Sequence, residues 1–301
     1  MNMSMKIVVG TLHCGENEFE ACCAAISSQT LEPIEHFVLK DLPNREAHEK
    51  LYCDFMKRSG PADLFVKVDA DMVLSRKTFF AELSDIFTTD LELDHLQIVV
   101  DDFFTGHFIE GLNVFRSTCK WTKKAPNSLY VDHTPVNRRK SLTDWSVLAP
   151  SATHCPDPSP FQAFHFGMHK GLKVLEAIQS TRHDRLLRHW SNIELTWKNY
   201  LKTKDIRLLL ASLGAELALS GMLTMNNINT NDEYAVNVFK EYENWNHRWL
   251  STNVRIKRRL NRRCLPSDWY LAFLRKEFTG YLRDSLKKVL RRTFLSSKLV
   301  K

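Results

Sequence analysis

The chain has 301 residues, of which 44% are hydrophobic and 26% are charged, and its formal net charge is +7. These proportions are typical of a globular protein and exclude a disordered or collagen-like chain. The longest apolar segment, residues 208–225, contains Glu216 and two glycines, so we expect a buried helix there and no transmembrane segment.

The N-terminus and the cysteines bear on the cellular compartment. The first residues lead directly into the strand-like segment KIVVGTL, which is too short an apolar stretch for a signal peptide. The seven cysteines form no CxxC pair and no zinc-binding spacing. We therefore expect reduced thiols and a cytoplasmic protein.

Strand-like and helix-like segments alternate through the first half of the chain. KIVVGTL, EHFVLKD and LFVKVDAD are predicted strands, and residues 18–28 and 45–57 are predicted helices. A helix near residues 77–86 and two more strands, LQIVVDDFF and GLNVFRS, follow. The alternation predicts an α/β fold with a parallel sheet, in which ligands bind beyond the carboxyl ends of the strands.

The second half has a different pattern. Residues 125–160 contain six prolines and are predicted to be irregular. Beyond them the pattern is helical, with helices predicted near residues 168–180, 184–201, 205–219, 232–250 and 267–289. We place a domain boundary at residue 180, between an α/β domain (1–180) and a helical, basic C-terminal region (181–301).

Two aspartates stand at the end of the third predicted strand, in VKVDADMVL (residues 66–74). Asp69 and Asp71 are separated by one residue, so they repel each other and disfavour a strand. A divalent metal ion is the natural compensating charge. The alternative is a pair of solvated acids before the next helix, where Ser75 is the better N-cap.

Several residues of the first half form a recognisable pattern. They are the Asn17-Glu18 pair after the first strand, Ser27-Ser28-Gln29-Thr30 at the end of the first helix, Asp41 after the second strand, and Asp69-Ala70-Asp71. Together they resemble a GT-A glycosyltransferase of the family-2-like group, in which the last three residues match the DxD motif. The resemblance is clear over residues 5–120, fades from 120 to 170 and is absent beyond. It implies a GT-A (Rossmann-like) nucleotide-diphospho-sugar transferase domain.

The resemblance also implies how the donor is bound. In this family carboxylates hold Mn²⁺ or Mg²⁺, which neutralises the donor diphosphate and assists its departure. Asp71 is the implied metal ligand, and Asp69 contacts either the ribose or the metal through water. Thr11, Glu18 and Asp41 are the implied nucleotide-binding residues, and a UDP-sugar is the favoured donor.

GT-A enzymes commonly add a late histidine as a further metal ligand. His165 is our candidate because it follows a proline-fixed loop at the start of a predicted helix, between Phe164 and Phe166. His154 is the alternative. A pairing of His165 with His169 on one helix turn lacks a third local ligand, and a helix-surface role is favoured for it.

An inverting transferase needs a general base to deprotonate the acceptor hydroxyl. Asp132, at a suitable distance after GLNVFRS, is the candidate base, and Asp144 is the second choice. Val131 stands where the family usually has another acid, and the QxxRW motif of processive synthases is missing. We therefore do not expect a cellulose- or chitin-like polymerase.

Basic residues are concentrated at the C-terminus. Residues 248–301 contain 16 Lys/Arg and 3 Asp/Glu, whereas the preceding residues contain 26 and 32. Within this tail, residues 282–301 have the composition of an interfacial amphipathic helix, although a solvated helix has the same composition. The tail predicts peripheral contact with the inner face of the cell membrane, and no motif indicates nucleic-acid binding.

The leading hypothesis is thus a metal-dependent glycosyltransferase that uses a nucleotide-sugar donor and a glycan or lipid-linked acceptor of the cell-surface polysaccharide type. One alternative is a nucleotidyltransferase on a related sheet, but GTLHCGENEF lacks the basic, glycine-rich phosphate loop that such an enzyme needs. The other alternative is a non-catalytic membrane- or nucleic-acid-binding protein with a degenerate site.

Overall fold

A computed structural model describes residues 5–60, 62–122, 129, 131, 135–144, 148, 151–229 and 232–263, with the backbone alone at positions 144, 183 and 263. The strands are β1 (Ile7–His13), β2 (Ile34–Lys40), β3 (Leu64–Lys67), β4 (Met72–Leu74), β5 (Leu93–Asp102), β6 (Phe108–Arg116), β7 (Lys140–Asp144) and β8 (Ala152–His154). The α-helices are α1 (Phe19–Ser27), α2 (Asn44–Lys57), α3 (Phe79–Thr89), α4 (Pro160–Gln179), α5 (His183–Thr203), α6 (Ile206–Leu219), α7 (Glu233–Glu243) and α8 (His247–Arg263).

The strands form one mixed sheet in the order β2-β1-β3-β6-β5-β8-β4, with β7 paired to β5. Strands β1, β2 and β3 are parallel, as the alternation of strands and helices predicted. The prediction of a wholly parallel sheet is wrong, because β6 is antiparallel to both of its neighbours and β4 is antiparallel to β8. Strand β6 follows β5 after a short turn, and a short connection favours an antiparallel pair.

Helices cover both faces of the sheet. Strand β1 is buried on both sides, with Val9 packing on the side of α1 and α3 and Val8 on the side of α2. Gly10 lies on the same side as Val8, where a Cβ atom would come within 2.4 Å of the Leu51 side chain of α2. The β-branched residues of β1 therefore form the centre of the α/β core.

The proline-containing segment, predicted to be irregular, contains two short strands and the start of a long helix. Strands β7 and β8 are five and three residues long, too short for alternation to reveal them. Helix α4 begins at Pro160, not near residue 168, because Ser159 and Gln162 form a capping box and Pro160 occupies the first helical turn. The predicted helix 232–250 is two helices, α7 and α8.

Helices α4 to α8 pack together in a second apolar core. Helices α4 and α6 are in contact along their backbones, because a Cβ atom on Gly167 would lie 1.7 Å from the Ala211 carbonyl oxygen. The boundary predicted at residue 180 stays a prediction, and α4, N-terminal to it, packs on α6, C-terminal to it. Within the described part of the chain, no helix combines the length and hydrophobicity needed to cross a bilayer.

Candidate functional site

The carboxyl ends of the parallel strands share one edge of the sheet. His13 at the end of β1 is in register with Lys40 at the end of β2, and Gly10 of β1 is in register with Lys67 at the end of β3. The loop after β1, Asp41 and the Asp69–Asp71 segment therefore lie along this edge. This is the position at which open α/β sheets bind ligands.

Strand β8 brings two more side chains to the same edge. It pairs parallel to β5, with Asp102 in register with His154, and antiparallel to β4, with Met72 in register with His154. The second pairing places Asp71 beside Cys155, whose N–H donates to the Asp71 carbonyl oxygen at 2.7 Å. The pairing of β8 with both β4 and β5 thus brings Asp71, Asp102 and His154 together.

These three side chains form a cluster in which Asp102 and His154 are buried and Asp71 is partly exposed. His154 Nδ1 lies 2.6 Å from Asp102 Oδ1, and His154 Nε2 lies 3.2 Å from Asp71 Oδ2. The Asp102 carboxylate also accepts a hydrogen bond from the Thr105 backbone N–H at 2.8 Å. The imidazole is therefore oriented by one carboxylate and presents its other nitrogen to the second, which is the usual arrangement of a metal-ligating histidine.

The cluster carries charge despite its burial. Burial opposes ionisation of all three groups, but the charge of Asp71 and the hydrogen bonds to Asp71 and Asp102 raise the pKa of His154 well above its usual value. His154 in turn lowers the pKa of Asp71 and of Asp102. His154 therefore lies between two carboxylates that favour its protonated form.

The donor atoms fit a divalent transition-metal ion. Asp71, His154 and Cys155 each offer one ligand atom within 4.8 Å of the other two. Asp71 Oδ1 is buried and has no hydrogen-bond partner, so it is available as an acceptor. The 3.2 Å between His154 Nε2 and Asp71 Oδ2 is close to the roughly 3 Å that separates adjacent ligands in an octahedron with bonds of about 2.1 Å.

Cys155 distinguishes the site from an all-oxygen one. Its Sγ lies 3.5 Å from Asp71 Oδ2 and 3.6 Å from His154 Nε2. Its backbone has a φ of 50°, a costly conformation for a residue with a side chain, and such strain is concentrated at functional sites. Burial raises the pKa of the Cys155 thiol, so the thiol stays protonated at neutral pH unless a metal binds it. Nitrogen and sulfur donors favour a transition-metal ion over Mg²⁺, and a sulfur donor favours zinc in particular.

Two further carboxylates extend the acidic edge. Asp69 is partly exposed and pairs with the buried Lys67 ammonium at 2.8 Å. Glu16, in the loop after β1, accepts a hydrogen bond from the Cys14 N–H at 2.6 Å. Burial, with a smaller contribution from the charges of Asp71 and Asp69, raises the pKa of Glu16 to about 7. Glu16 thus adds a carboxyl group to this edge, near Asp69 and Asp71.

Lys170 brings a cation close to the cluster. Its ammonium lies 4.7 Å from the centre of the ring of Phe166, which is on the second turn of α4. The Phe166 ring is 5.7 Å from the His154 ring and stacks on Phe104 at 3.9 Å. Within the residues described, Lys170 forms no ion pair with a carboxylate, so its charge is available to an anion beside the cluster.

Two of the predicted nucleotide-binding residues have structural partners. The Glu18 side chain is buried and accepts hydrogen bonds from the Asp157 N–H at 3.0 Å and the Gln162 amide at 2.9 Å. Thr11 is fully buried, and its hydroxyl lies 2.9 Å from His36 Nε2. Glu18 thus fastens the start of α4 to the start of α1, and Thr11 links β1 to β2.

The remaining predicted residues fall in different places. Asp41 is exposed at the binding edge, with φ of 55° and its N–H donating to the His13 carbonyl at 2.9 Å. His165 lies on α4 with its Nε2 2.8 Å from the Ile228 carbonyl oxygen, and it is not part of the three-residue cluster. The structure brings His154, the alternative, to Asp71. Asp132 and the Asp144 side chain lie outside the described residues.

The sequence analysis did not single out Asp102, Cys155 or Glu16. Asp102 had a signal, because LQIVVDDFF ends a strand in two acids just as LFVKVDAD does. Glu16 follows the first strand, where the sequence analysis noted only the Asn17-Glu18 pair. Cys155 had no signal beyond its adjacency to His154.

Comparisons with known proteins give little support for an assignment. No protein-family model matches the chain, and a search of the curated proteins finds no match. Among solved structures, the chain is similar to the mannosyltransferase PcManGT from Pyrobaculum calidifontis in complex with GDP-Man and Mn²⁺. The identity is 12%, the match covers 79% of this chain and 87% of that chain, and the TM-score is 0.36. A similarity this low does not establish a shared fold or activity.

Proposed function

We propose that the protein is a metal-dependent glycosyltransferase with a GT-A-type site, which transfers a sugar from a nucleotide-diphosphate sugar to a glycan or lipid-linked acceptor. The observation that carries the proposal is the cluster of Asp71, His154 and Asp102 at the edge where three parallel strands end. A carboxylate and an oriented imidazole at such an edge are suited to a metal ion that accompanies a diphosphate.

In this proposal Asp71 and His154 hold Mn²⁺, and Asp102 keeps the His154 ring in place. The bound ion would supply positive charge to the diphosphate as the sugar leaves. Lys170 adds a second positive charge on the α4 side of the cluster, and Asp69, beside Lys67, is placed to contact the ribose. Asp41, exposed after β2, would contact the base or the ribose of the nucleotide.

The proposal also covers the general base and the donor nucleotide. Asp132 remains the proposed general base for an inverting reaction, and a UDP-sugar remains the proposed donor. In this proposal Glu18 and Thr11 act on the donor site indirectly, because their side chains are engaged with Asp157, Gln162 and His36.

The proposal is tested by calorimetric titration of UDP-, GDP- and CMP-sugars with and without Mn²⁺. We expect one nucleotide class to bind only when metal is present. Asp71→Asn should lower that affinity by at least about 100-fold, because it removes the anionic metal ligand. Asp85→Asn, a change of an exposed aspartate on α3, is the matched control and should bind as wild type. Metal-independent binding that survives Asp71→Asn would contradict the proposal.

A further inference from the structure

Helix α8 presents an apolar face to solvent. Trp249 is 70% exposed and Ile256, seven residues later on the same face, is 54% exposed. Trp245, in the connection between α7 and α8, is 40% exposed. Aromatic and branched apolar side chains at this spacing normally face a core. Here they face away from the protein.

The opposite face of α8 fixes this orientation. Leu250 and Val254 are buried in the helical core, and Arg258 is 2% exposed. The Arg258 guanidinium pairs with Glu194 of α5 at 2.9 Å and with Glu216 of α6 at 3.0 Å. These contacts fix the rotation of α8 about its own axis. Trp249 and Ile256 therefore cannot turn toward the protein core.

Positive charge flanks the apolar face. Three exposed arginines lie on one side of the apolar face: Arg248, Arg255 and Arg259. Each is rotated by about 100° around the helix axis from Trp249, in the same direction. α8 contains no Asp or Glu. The chain beyond α8, residues 264–301, adds nine Lys/Arg against three Asp/Glu. A partner of this face must therefore be both apolar and anionic.

We propose that α8 docks on an anionic phospholipid surface, with Trp249 and Ile256 in the headgroup boundary and the arginines Arg248, Arg255 and Arg259 on lipid phosphates. Tryptophan is enriched at the membrane interface because its ring is apolar and its N–H is polar. Guanidinium groups bind phosphate with two parallel hydrogen bonds while their stems cover apolar surface. The proposal concerns a surface away from the metal cluster and is tested without any sugar donor.

Co-sedimentation of the full chain with lipid vesicles measures the interaction. We expect binding to vesicles of phosphatidylcholine and phosphatidylglycerol, weakening as salt is raised, and little binding to phosphatidylcholine alone. The triple variant Arg248→Gln, Arg255→Gln, Arg259→Gln should bind about 100-fold more weakly, since each basic residue near an anionic surface contributes about a factor of five.

The apolar half of the proposal has its own variant. Trp249→Ser with Ile256→Ser should weaken vesicle binding by at least about tenfold. Leu91→Ser, which changes an apolar residue 67% exposed elsewhere on the chain, is the matched control and should bind as wild type. All changed residues are exposed, so thermal unfolding and Mn²⁺-dependent nucleotide binding should be unchanged in every variant. The vesicle experiment needs no sugar donor, so it tests the membrane proposal even if the glycosyltransferase proposal fails.

Three outcomes would overturn the inference. Equal binding of wild type to neutral and anionic vesicles would remove the role of the arginines. Wild-type vesicle binding in the α8 variants would assign the interaction to residues 264–301. Self-association in size-exclusion chromatography, lost in Trp249→Ser with Ile256→Ser, would assign the face to a second copy of the chain.

Discussion

His154 and His165 differ in what their ring nitrogens contact. His154 stands between two carboxylates, whereas the Nε2 atom of His165 is bonded to the Ile228 carbonyl. Burial lowers the pKa of His165, so its ring is neutral and serves that hydrogen bond. Only His154 has a nitrogen directed at a candidate metal ligand.

We therefore expect His154→Gln to lower Mn²⁺ affinity by at least about tenfold and His165→Gln to leave it unchanged. Wild-type affinity should also fall as the pH is lowered, because the proton on His154 competes with the metal. Isothermal titration with Mn²⁺ at two pH values measures both effects. If His165→Gln lowered the Mn²⁺ affinity and His154→Gln did not, His165 would be the metal ligand, as the sequence analysis predicted.

Glu16 provides a test of how burial affects a carboxyl group beside the site. Its pKa is raised to about 7, mainly by burial, so the folded state binds a proton more tightly than the unfolded chain does. The stability of the protein is therefore reduced as the pH rises from about 4.5 to 7, the interval between the unfolded and folded pKa values. Glu16→Gln should be more stable than wild type by about 2 kcal/mol at pH 8 and equal to it near pH 4.5.

Urea unfolding of both proteins across this pH range measures the difference. Glu20→Gln, which changes an exposed glutamate on α1, is the control and should show no such pH dependence. A constant difference between Glu16→Gln and wild type at all pH values would mean that the carboxyl does not titrate in this range.

At the level of single residues, the sequence was sufficient to place Asp69, Asp71 and Asp41 at the edge of the sheet, because each lies within four residues of the end of a strand. It was insufficient for His154, since the choice between His154 and His165 depends on strand pairing. The residues that complete the cluster are distant in sequence from Asp71, with Asp102 at the end of β5 and His154 at the end of β8. Nothing local to Asp71 identifies either of them.

At the level of elements, the closest packing is between α4 and α6. A Cβ atom on Gly167 would lie 1.7 Å from the Ala211 carbonyl oxygen, and one on Gly214 would lie 2.1 Å from the Phe164 carbonyl oxygen. Alanine is a better helix former than glycine by about 1 kcal/mol. However, the backbone of the facing helix can make room for the added methyl group only if the two helices move apart.

We expect Gly167→Ala to destabilise the protein by about 3 kcal/mol despite its favourable helix propensity. Gly60→Ala is the control, because a methyl group added at Gly60 would meet nothing within 4 Å and the stability of this variant should be close to wild type. Thermal unfolding followed by circular dichroism distinguishes the two variants. A Tm for Gly167→Ala equal to that of Gly60→Ala would show that the helices can move apart freely.

The fold was predicted well where elements are long and periodic. Helices α1, α2, α5 and α6 begin and end close to their predicted limits. Strand β8, on which the site depends, has three residues and is partly polar, so no periodicity could identify it. The start of α4 was missed because Pro160 was interpreted as a helix breaker, although Ser159 and Gln162 supply the signature of a helix N-terminus.

At the level of the whole molecule, the helical layer connects the acidic edge to the basic helix. The start of α4 is fastened to the site loop by Glu18 and Gln162, α4 packs on α6, and α6 is joined to α8 by Glu216 and Arg258. The orientation of α8 relative to the site is therefore maintained by the ion pairs of Arg258, the apolar contacts of Leu250 and Val254, and the close crossing of α4 and α6. Each proposed surface depends on elements that also support the other.

The buried network around Arg258 can be tested directly. Arg258→Met would leave Arg262 paired with Glu194, but Glu216 would keep only the neutral Asn261 amide among the partners described for its side chain. Burial already raises the pKa of Glu216, so its charge is costly without the guanidinium. We expect a loss of about 3 kcal/mol in the free energy of unfolding at pH 8.

The loss should shrink at lower pH. With Arg258 removed, Glu216 binds a proton more tightly in the folded state than in the unfolded chain, so lowering the pH toward 5 stabilises the folded variant relative to its value at pH 8. Urea unfolding at both pH values measures this, with Arg255→Met, an exposed change on the same helix, as the control. If the two variants unfold at the same urea concentration, the ion pairs contribute nothing and the apolar residues Leu250 and Val254 alone hold α8 in place.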